Sequence, residues 1–414
     1  MELEQNFAKQ QTIVQKSILR NSQFLFLWIA STFTGLAFSV YLITESWYVV
    51  NQLNMASMLG IVMMMTTIPR VLLMAFGGVM ADRFKRSHIL FTVNMLRAGI
   101  LLILVFLVWN SQLNIWWLMA FACSFGILDA FFWPSSNSLI PQIVDKEQIT
   151  QANSIVQTTN QLSLMIGPAL AAFIMKFASF SASFAIAAGL LLISSILVRL
   201  VRESAPQQTK QHSFIKDLKE GILYVKGVPF ILTIMCTSIV VNFFLVGPLN
   251  IGLPILVKQT LKGDILDLSY LESSFAIGMT AGAILTGLIG FRKKRAVISL
   301  TLIGVLGIGC ALLSQMTTIW YGIIVVSILG ICLSISNIIS PSLIQELVEP
   351  SMMGRVQSLM STASMGFVPL SFAAVSVLLS SGISISLIML ISCTVLTLFV
   401  FGILWRVKIV WTVD

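Results

Sequence analysis

Between residues 202 and 226 the chain reads Arg202-Glu-Ser-Ala-Pro-Gln-Gln-Thr-Lys210, then Gln211-His-Ser-Phe-Ile-Lys-Asp-Leu-Lys-Glu220 and Gly221-Ile-Leu-Tyr-Val-Lys226. It is the longest polar stretch in the sequence, and it separates two series of apolar runs. The upstream runs cover 24–50, 55–80, 88–109, 115–140, 152–176 and 180–201. The downstream runs cover 229–257, 268–291, 296–315, 318–344, 356–379 and 383–405. Each is close to the roughly 20 apolar residues that a helix needs to cross a bilayer. In lipid a spanning segment must close its own backbone hydrogen bonds, which a helix does. The pattern predicts an all-α polytopic membrane protein with twelve transmembrane helices in two six-helix bundles, 24–201 and 229–405, joined by a central loop over 202–228. Part of that loop, 213–228, reads as an amphipathic helix lying on the membrane surface.

Composition agrees. Of 414 residues, 57% are hydrophobic and 10% charged, against roughly 25% charged in soluble domains. Residues 1–23 are polar and lack the short apolar core of a signal peptide; the run from Phe24 is too long to be one. Lysine and arginine bias sets orientation. With the N-terminus inside, twenty basic residues fall in inner segments, and only Lys176, Lys258 and Lys262 fall outside. Both termini are therefore expected in the cytoplasm, at a bacterial inner membrane, with 406–414 as a cytoplasmic tail. The same bias explains the net charge of +9 without a nucleic-acid partner. Cys123, Cys236, Cys310, Cys332 and Cys393 lie in apolar stretches without a CxxC pair, so neither a disulfide framework nor a metal site is indicated. Nothing in the sequence calls for a cofactor.

An internal repeat supports two related halves. Ser138-Leu-Ile-Pro-Gln-Ile-Val-Asp145 follows the fourth run, and Ser342-Leu-Ile-Gln-Glu-Leu-Val-Glu349 follows the tenth. The loop between runs 2 and 3 reads Gly77-Gly-Val-Met-Ala-Asp-Arg-Phe-Lys-Arg86. It resembles the cytoplasmic loop signature of the major facilitator superfamily, with Gly78, Asp82, Arg83, Lys85 and Arg86 on the pattern; the family usually has Gly where Lys85 stands. A glycine there lets helices approach closely, and Asp82 at a helix N-terminus can latch the halves. In the second half Phe291 stands where the acid would be, which leaves a purely topological role for that loop. Gly167-Pro168 resembles part of the superfamily's antiporter motif, where a kink beside glycine offers a smooth surface to the opposite half. Trp28-Ile29, Trp47 and Phe131-Phe-Trp-Pro134 running into Ser138-Leu-Ile-Pro141 are similar to the macrolide-efflux-like branch of drug:proton antiporters. That resemblance implies proton-driven export of amphiphilic compounds.

Four charges fall inside spanning runs, where ionisable residues are costly and mark function. They are Glu45, Arg70, Arg97 and Asp129. At 1.5 Å rise per residue, Arg70 and Asp129 lie at similar depths, roughly 18 Å from the inner loops. One reading is a proton and substrate relay; the other is a set of fixed ion pairs holding the first six helices. Tyr41, Glu45 and Tyr48 share one helix face at i, i+4 and i+7, and Asp129, Phe132, Trp133 and Ser136 share another. Aromatics beside an acid suit a lipophilic cation. Asn242, Phe243 and Phe244 offer an opposite wall. The second half carries no charge at mid-depth, since Glu272 lies near the outer end of run 8.

The expected function is secondary active transport by alternating access, exporting an amphiphilic small molecule in exchange for protons, from a monomer in the bilayer. A narrower exporter of a siderophore, lipid or peptide-like metabolite is the alternative. No GxxxxGK[ST] sequence occurs, so ATP hydrolysis by this chain is excluded. A membrane-embedded enzyme is disfavoured, because His88 and His212 are far apart and no HExxH motif is present.

Overall fold

A computed structural model describes residues 18–203, 214–349 and 352–412. Most of the expected N-terminal segment, the middle of the central loop with His212, and the last two residues lie outside these. Twelve long helices run through the described residues. In the first series α1 is Ser22–Trp47, extended by a π-helical turn Tyr48–Gln52, followed by α2 Leu59–Arg83 and α3 Arg86–Trp109. Then come α4 Ile115–Ile143, α5 Ile149–Phe177 and α6 Phe180–Arg199. The second series opens with α7, Pro229–Thr260, interrupted by π-helical turns at Asn242–Val246 and Leu256–Thr260. It continues with α8 Ile265–Ile289, α9 Arg295–Leu313, α10 Ile319–Leu347, α11 Met353–Ser380 and α12 Ile385–Arg406.

Helix starts are written locally. Asn21 accepts hydrogen bonds from the N–H groups of Gln23 and Phe24, and Asn114 from those of Trp116 and Trp117. Ser179, Thr318 and Ser384 cap α6, α10 and α12 in the same way, satisfying donors that the first turn leaves open. Asp264 and Asp267 form a capping box at α8.

Eleven of these spans are long and apolar enough to cross a membrane. The twelfth, α5, has 29 residues, but its first half carries Thr150, Gln151, Asn153, Gln157 and Asn160. Those polar groups lower its apolarity, and a further one, Thr159, is used inside the protein, accepting a hydrogen bond from the Trp28 indole (2.8 Å). On the outside the surface is greasy. Phe106, Leu288 and Leu398 are 64%, 79% and 68% exposed, a pattern that suits lipid and not water.

The helices pack as two bundles with the same neighbour pattern. α2 packs on α4 and α3 on α6; in the second bundle α8 packs on α10 and α9 on α12. Close approach needs small residues. A Cβ on Gly77 would strike the carbonyl of Ala130, and one on Gly126 that of Thr66. Gly278 and Gly330 play the same part between α8 and α10. The sequence repeat has a structural counterpart: from 115 to 319 and from 143 to 347 the step is 204, so α4 and α10 begin and end in register.

The ends of the bundles that carry Arg83–Arg86 and Arg292–Arg295 form a basic face; the other end is the far face. The helix expected over 213–228 is present as Phe214–Gly227. It docks on the second bundle near the basic face, where Glu220 pairs with Arg355 (3.0 Å) and the Tyr224 hydroxyl accepts the Glu349 N–H (3.3 Å). The bundles meet through α5 against α8 and α2 against α11. Bonds between them cluster toward the far face: Lys176 pairs with Asp264, and Lys258 donates to Asn51 (2.6 Å). The Ser273 hydroxyl donates to the carbonyl of Met165 (3.2 Å). There too, Gly60 of α2 lies against the backbone of Phe372.

Candidate functional site

Three of the four charges in the first bundle meet. Asp129 on α4 is 3% exposed at its side chain and pairs with Arg97 of α3, itself 2% exposed. Arg70 of α2 approaches from the other side, its Nη1 3.7 Å from Asp129 Oδ2. Two guanidinium groups thus converge on one carboxylate. The Arg97 guanidinium lies 5.0 Å from the centre of the Phe132 ring and 5.8 Å from that of Phe125, cation–π contacts that offset part of its desolvation. Asp129 Oδ2 and Arg97 Nε are buried without a hydrogen-bond partner among the described residues.

Glu45 stands apart. Its carboxylate accepts the Tyr41 hydroxyl (2.6 Å), and both are buried. The Tyr41 ring stacks on Phe125 with centroids 4.3 Å apart. Phe125 therefore touches both groups, joining the Glu45 pair to the Arg97 cluster by ring contacts. Tyr48 packs edge-on to Phe180 (5.1 Å). The shared face of Tyr41, Glu45 and Tyr48 is turned into the bundle, toward α4 and α6. A polar cluster that the sequence reading passed over lies nearby. Asn94 donates to the hydroxyls of Thr34 and Ser194, both at 3.0 Å. Its only advance signal was an amide in the middle of an apolar run.

Two cavities differ sharply. One of about 50 Å³ in the first bundle is lined by Arg97, Asp129, Phe132 and Trp133, with Thr34 and Asn160. One of about 400 Å³ in the second bundle is lined by Asn242, Asn250, Glu272, Phe275, Asn337 and Gln357, among others. Asn242 lies in the wall of this second-bundle cavity, not opposite the cavity of the first bundle. Phe243 packs on Phe244 (4.9 Å), and its carbonyl accepts the Ser371 hydroxyl. Glu272 was read only as lying near a helix end. The seven residues that separate it from Ile265 bring it roughly 10 Å into the helix, where it joins the cavity.

At the basic face Asp82 faces Arg86 of its own loop (3.9 Å), while Arg83 and Lys85 are exposed. The Arg86 Nε donates to the Ser138 hydroxyl (3.0 Å), tying the loop to α4. The close helix contact belongs to Gly77; a Cβ on Gly78 would meet nothing within 4 Å. Gly167 likewise serves its own bundle, lying against Ser39 of α1. The opposite bundle meets α5 at Met165 and Gln161 instead. In the second half Arg295 holds Glu346 with two hydrogen bonds, 2.7 and 2.5 Å.

At the far face Trp47, Asn51, Lys176, Lys258 and Asp264 line a vestibule of about 350 Å³. Partial burial opposes ionisation of Asp264, but the bonds from Lys176 and from the N–H groups of Leu266 and Asp267 outweigh it and hold the carboxyl below its ordinary range.

Two like bundles of six membrane helices, bonded at one face and holding charges and cavities within, have the architecture of a membrane transporter. The description Major Facilitator Superfamily matches residues 27–371, and the chain belongs to that superfamily. It is 27% identical over 327 residues to macrolide efflux protein A of Streptococcus pyogenes, covering 77% of this chain and 78% of that one. It is 26% identical over 287 residues to macrolide efflux protein A of Enterococcus faecalis, covering 68% and 88%. In fold it resembles the crystal structure of the nucleoside transporter NupG, with a TM-score of 0.73 at 15% identity over 93% of this chain and 99% of that one.

Proposed function

We propose that this transporter exports amphiphilic compounds in exchange for protons, and that Asp129, between Arg97 and Arg70, is the coupling site. The observation that carries the reading is that one carboxylate, two guanidinium groups and a small cavity meet inside one bundle. Protonating Asp129 removes the charge that both arginines share and so loosens the joint between α2, α3 and α4; losing the proton restores it. Glu45, bonded to Tyr41, is a second protonatable group in the same interior. The likeness to two macrolide efflux proteins supports export of bulky amphiphiles. The basic face is taken as cytoplasmic, at a bacterial inner membrane, with both termini there. The bodies that rock are residues 24–201 and 229–405, acting as a monomer without nucleic acid. With the bundles bonded toward the far face, the structure fits the state that admits cargo from the cytoplasm.

The test is efflux of a fluorescent lipophilic cation from energised cells, with wild type beside Asp129→Asn and Glu45→Gln at matched expression. Wild-type efflux is expected to collapse with a protonophore, and Asp129→Asn to be inactive. Efflux that ignores the protonophore removes proton coupling. If Asp129→Asn matches wild type, the cluster is a structural joint. A wild type that moves no dye points to the narrower exporter.

A further inference from the structure

The proton reading makes no use of Glu272, the carboxylate in the wall of the second cavity. We propose that this cavity is a cargo site in which Glu272 pairs with the protonated amine of an amphiphilic ligand. The proposal rests on the reading of the chain as a carrier of amphiphiles, but not on proton coupling.

Several polar groups of the wall are bonded among themselves or to nearby backbone. Ser238 shares its hydroxyl with Ser364 (2.6 Å), and Ser336 donates to the Ser299 carbonyl (3.2 Å). The amide nitrogens of Asn242 and Asn250 donate back to Ser238 and Val246, both at 2.8 Å. Each of these amides keeps a second N–H and its oxygen, so the polar groups of the wall can both donate and accept, and Glu272 is the one charged side chain among the lining residues. No lysine or arginine is among the lining residues, and the Glu272 carboxylate forms no hydrogen bond or ion pair among the described residues. An uncompensated carboxylate at this depth is costly, and a cationic guest is what offsets it. Most of the rest of the wall is apolar, with Leu245, Leu249, Leu253, Phe275 and Leu333. A volume of about 400 Å³ falls in the usual range for small-molecule sites. The π-helical turn at Asn242–Val246 widens α7 beside the cavity, a distortion frequent at functional sites. Gln357 and Ile344 lie near the basic ends of their helices and Glu272 near the far end of its own. A guest therefore fits lengthwise, amine at the far end.

The experiment is a fluorescence titration of the full chain, purified in detergent, with dansylcadaverine and its neutral N-acetyl derivative. Wild type is expected to bind the amine at least about tenfold more tightly than the acetylated probe, as befits a desolvated charge pair. Glu272→Gln should lose that preference, and Glu272→Asp should keep it. Asn250→Lys, which sets a cation in the same wall and leaves Glu272 in place, should abolish it. Equal binding of the two probes by wild type overturns the proposal, as does an undiminished preference in monodisperse Glu272→Gln. No gradient is present in this assay. A failure of proton coupling in cells therefore leaves its result standing, and the reverse also holds.

Discussion

The two bundles share a skeleton and differ in what they enclose. α4 and α10 keep register at a step of 204, and close glycine contacts recur between α2 and α4 and between α8 and α10. The ends of α1 and α7 match in fine detail. Each finishes in a π-helical turn. Leu53 bonds to Tyr48 and Leu261 to Leu256, both at 3.0 Å. Asn54 and Lys262 then turn left-handed, with φ of 54° and 51°. Yet one interior holds a packed charge cluster around about 50 Å³, and the other a chamber of about 400 Å³ lined by apolar and neutral polar side chains with a single carboxylate in its wall. The lesson is that small residues and caps set how these helices pack, so the interior is free to diverge. One half holds its charges against each other; the other leaves its charge for a guest.

The largest effect should separate the two acids. Asp129→Ala strands Arg97 in the interior and leaves Arg70 unpaired. Removing one partner of a buried pair costs about 3–5 kcal/mol, so unfolding of the purified protein should move to markedly lower temperature. Glu272→Ala removes a carboxylate that has no partner, and a change below about 1 kcal/mol is expected. Equal losses would mean that Glu272 is a structural element too, and the contrast between the halves would fail.

Two adjacent glycines give a finer test. Gly77→Leu drives a side chain into the backbone of α4, an overpacking that costs about 1–3 kcal/mol or more, and the yield of monodisperse protein should fall. Gly78→Leu meets open space in this state and should unfold at the wild-type temperature. If the basic face closes around Gly78 in the alternate state, the same variant loses transport while staying folded. Loss of stability by Gly78→Leu would show that the loop packs differently from the arrangement seen here.

The skeleton was legible because lipid imposes simple rules. Apolar runs gave all twelve helices to within a few residues. Even so, α5 was read as an ordinary apolar run although its first half is amide-rich. Run-finding counts its apolar second half and is blind to where polar groups point. The meeting of Arg70, Arg97 and Asp129 was legible in part, since equal depth is readable but facing is not. Gly77 and Gly78 are indistinguishable in sequence, and only helix phase against α4 decides which one is crowded. Glu272 was passed over because depth along one helix says nothing of a chamber assembled from α7, α8, α10 and α11.

The smallest effect concerns the far face, where the halves meet. The Lys176–Asp264 pair is largely exposed, and such pairs contribute little. The Asp264 carboxyl is held below its ordinary range, about 3.9 for aspartate. A carboxyl lowered in this way stabilises the bonded state fully above that range. It stops doing so as the pH falls through its own, lower value. Between pH 5 and 8 the pair should therefore stay ionised, and the closure of the far face should not titrate through it. Spin labels on Leu53→Cys and Leu261→Cys, at the matched turns of α1 and α7, report the gap between the bundles. The share of closure that Asp264 contributes should be flat over that range and fall only under stronger acid, so wild type and Asp264→Asn should respond to pH alike between 5 and 8. Asp264→Asn should shift it by about twofold or less, and added salt should shrink even that shift. A closed fraction that titrates between pH 5 and 8, and does so equally in Asp264→Asn, would move control of the gate from the far-face pair to protonatable groups inside the first bundle.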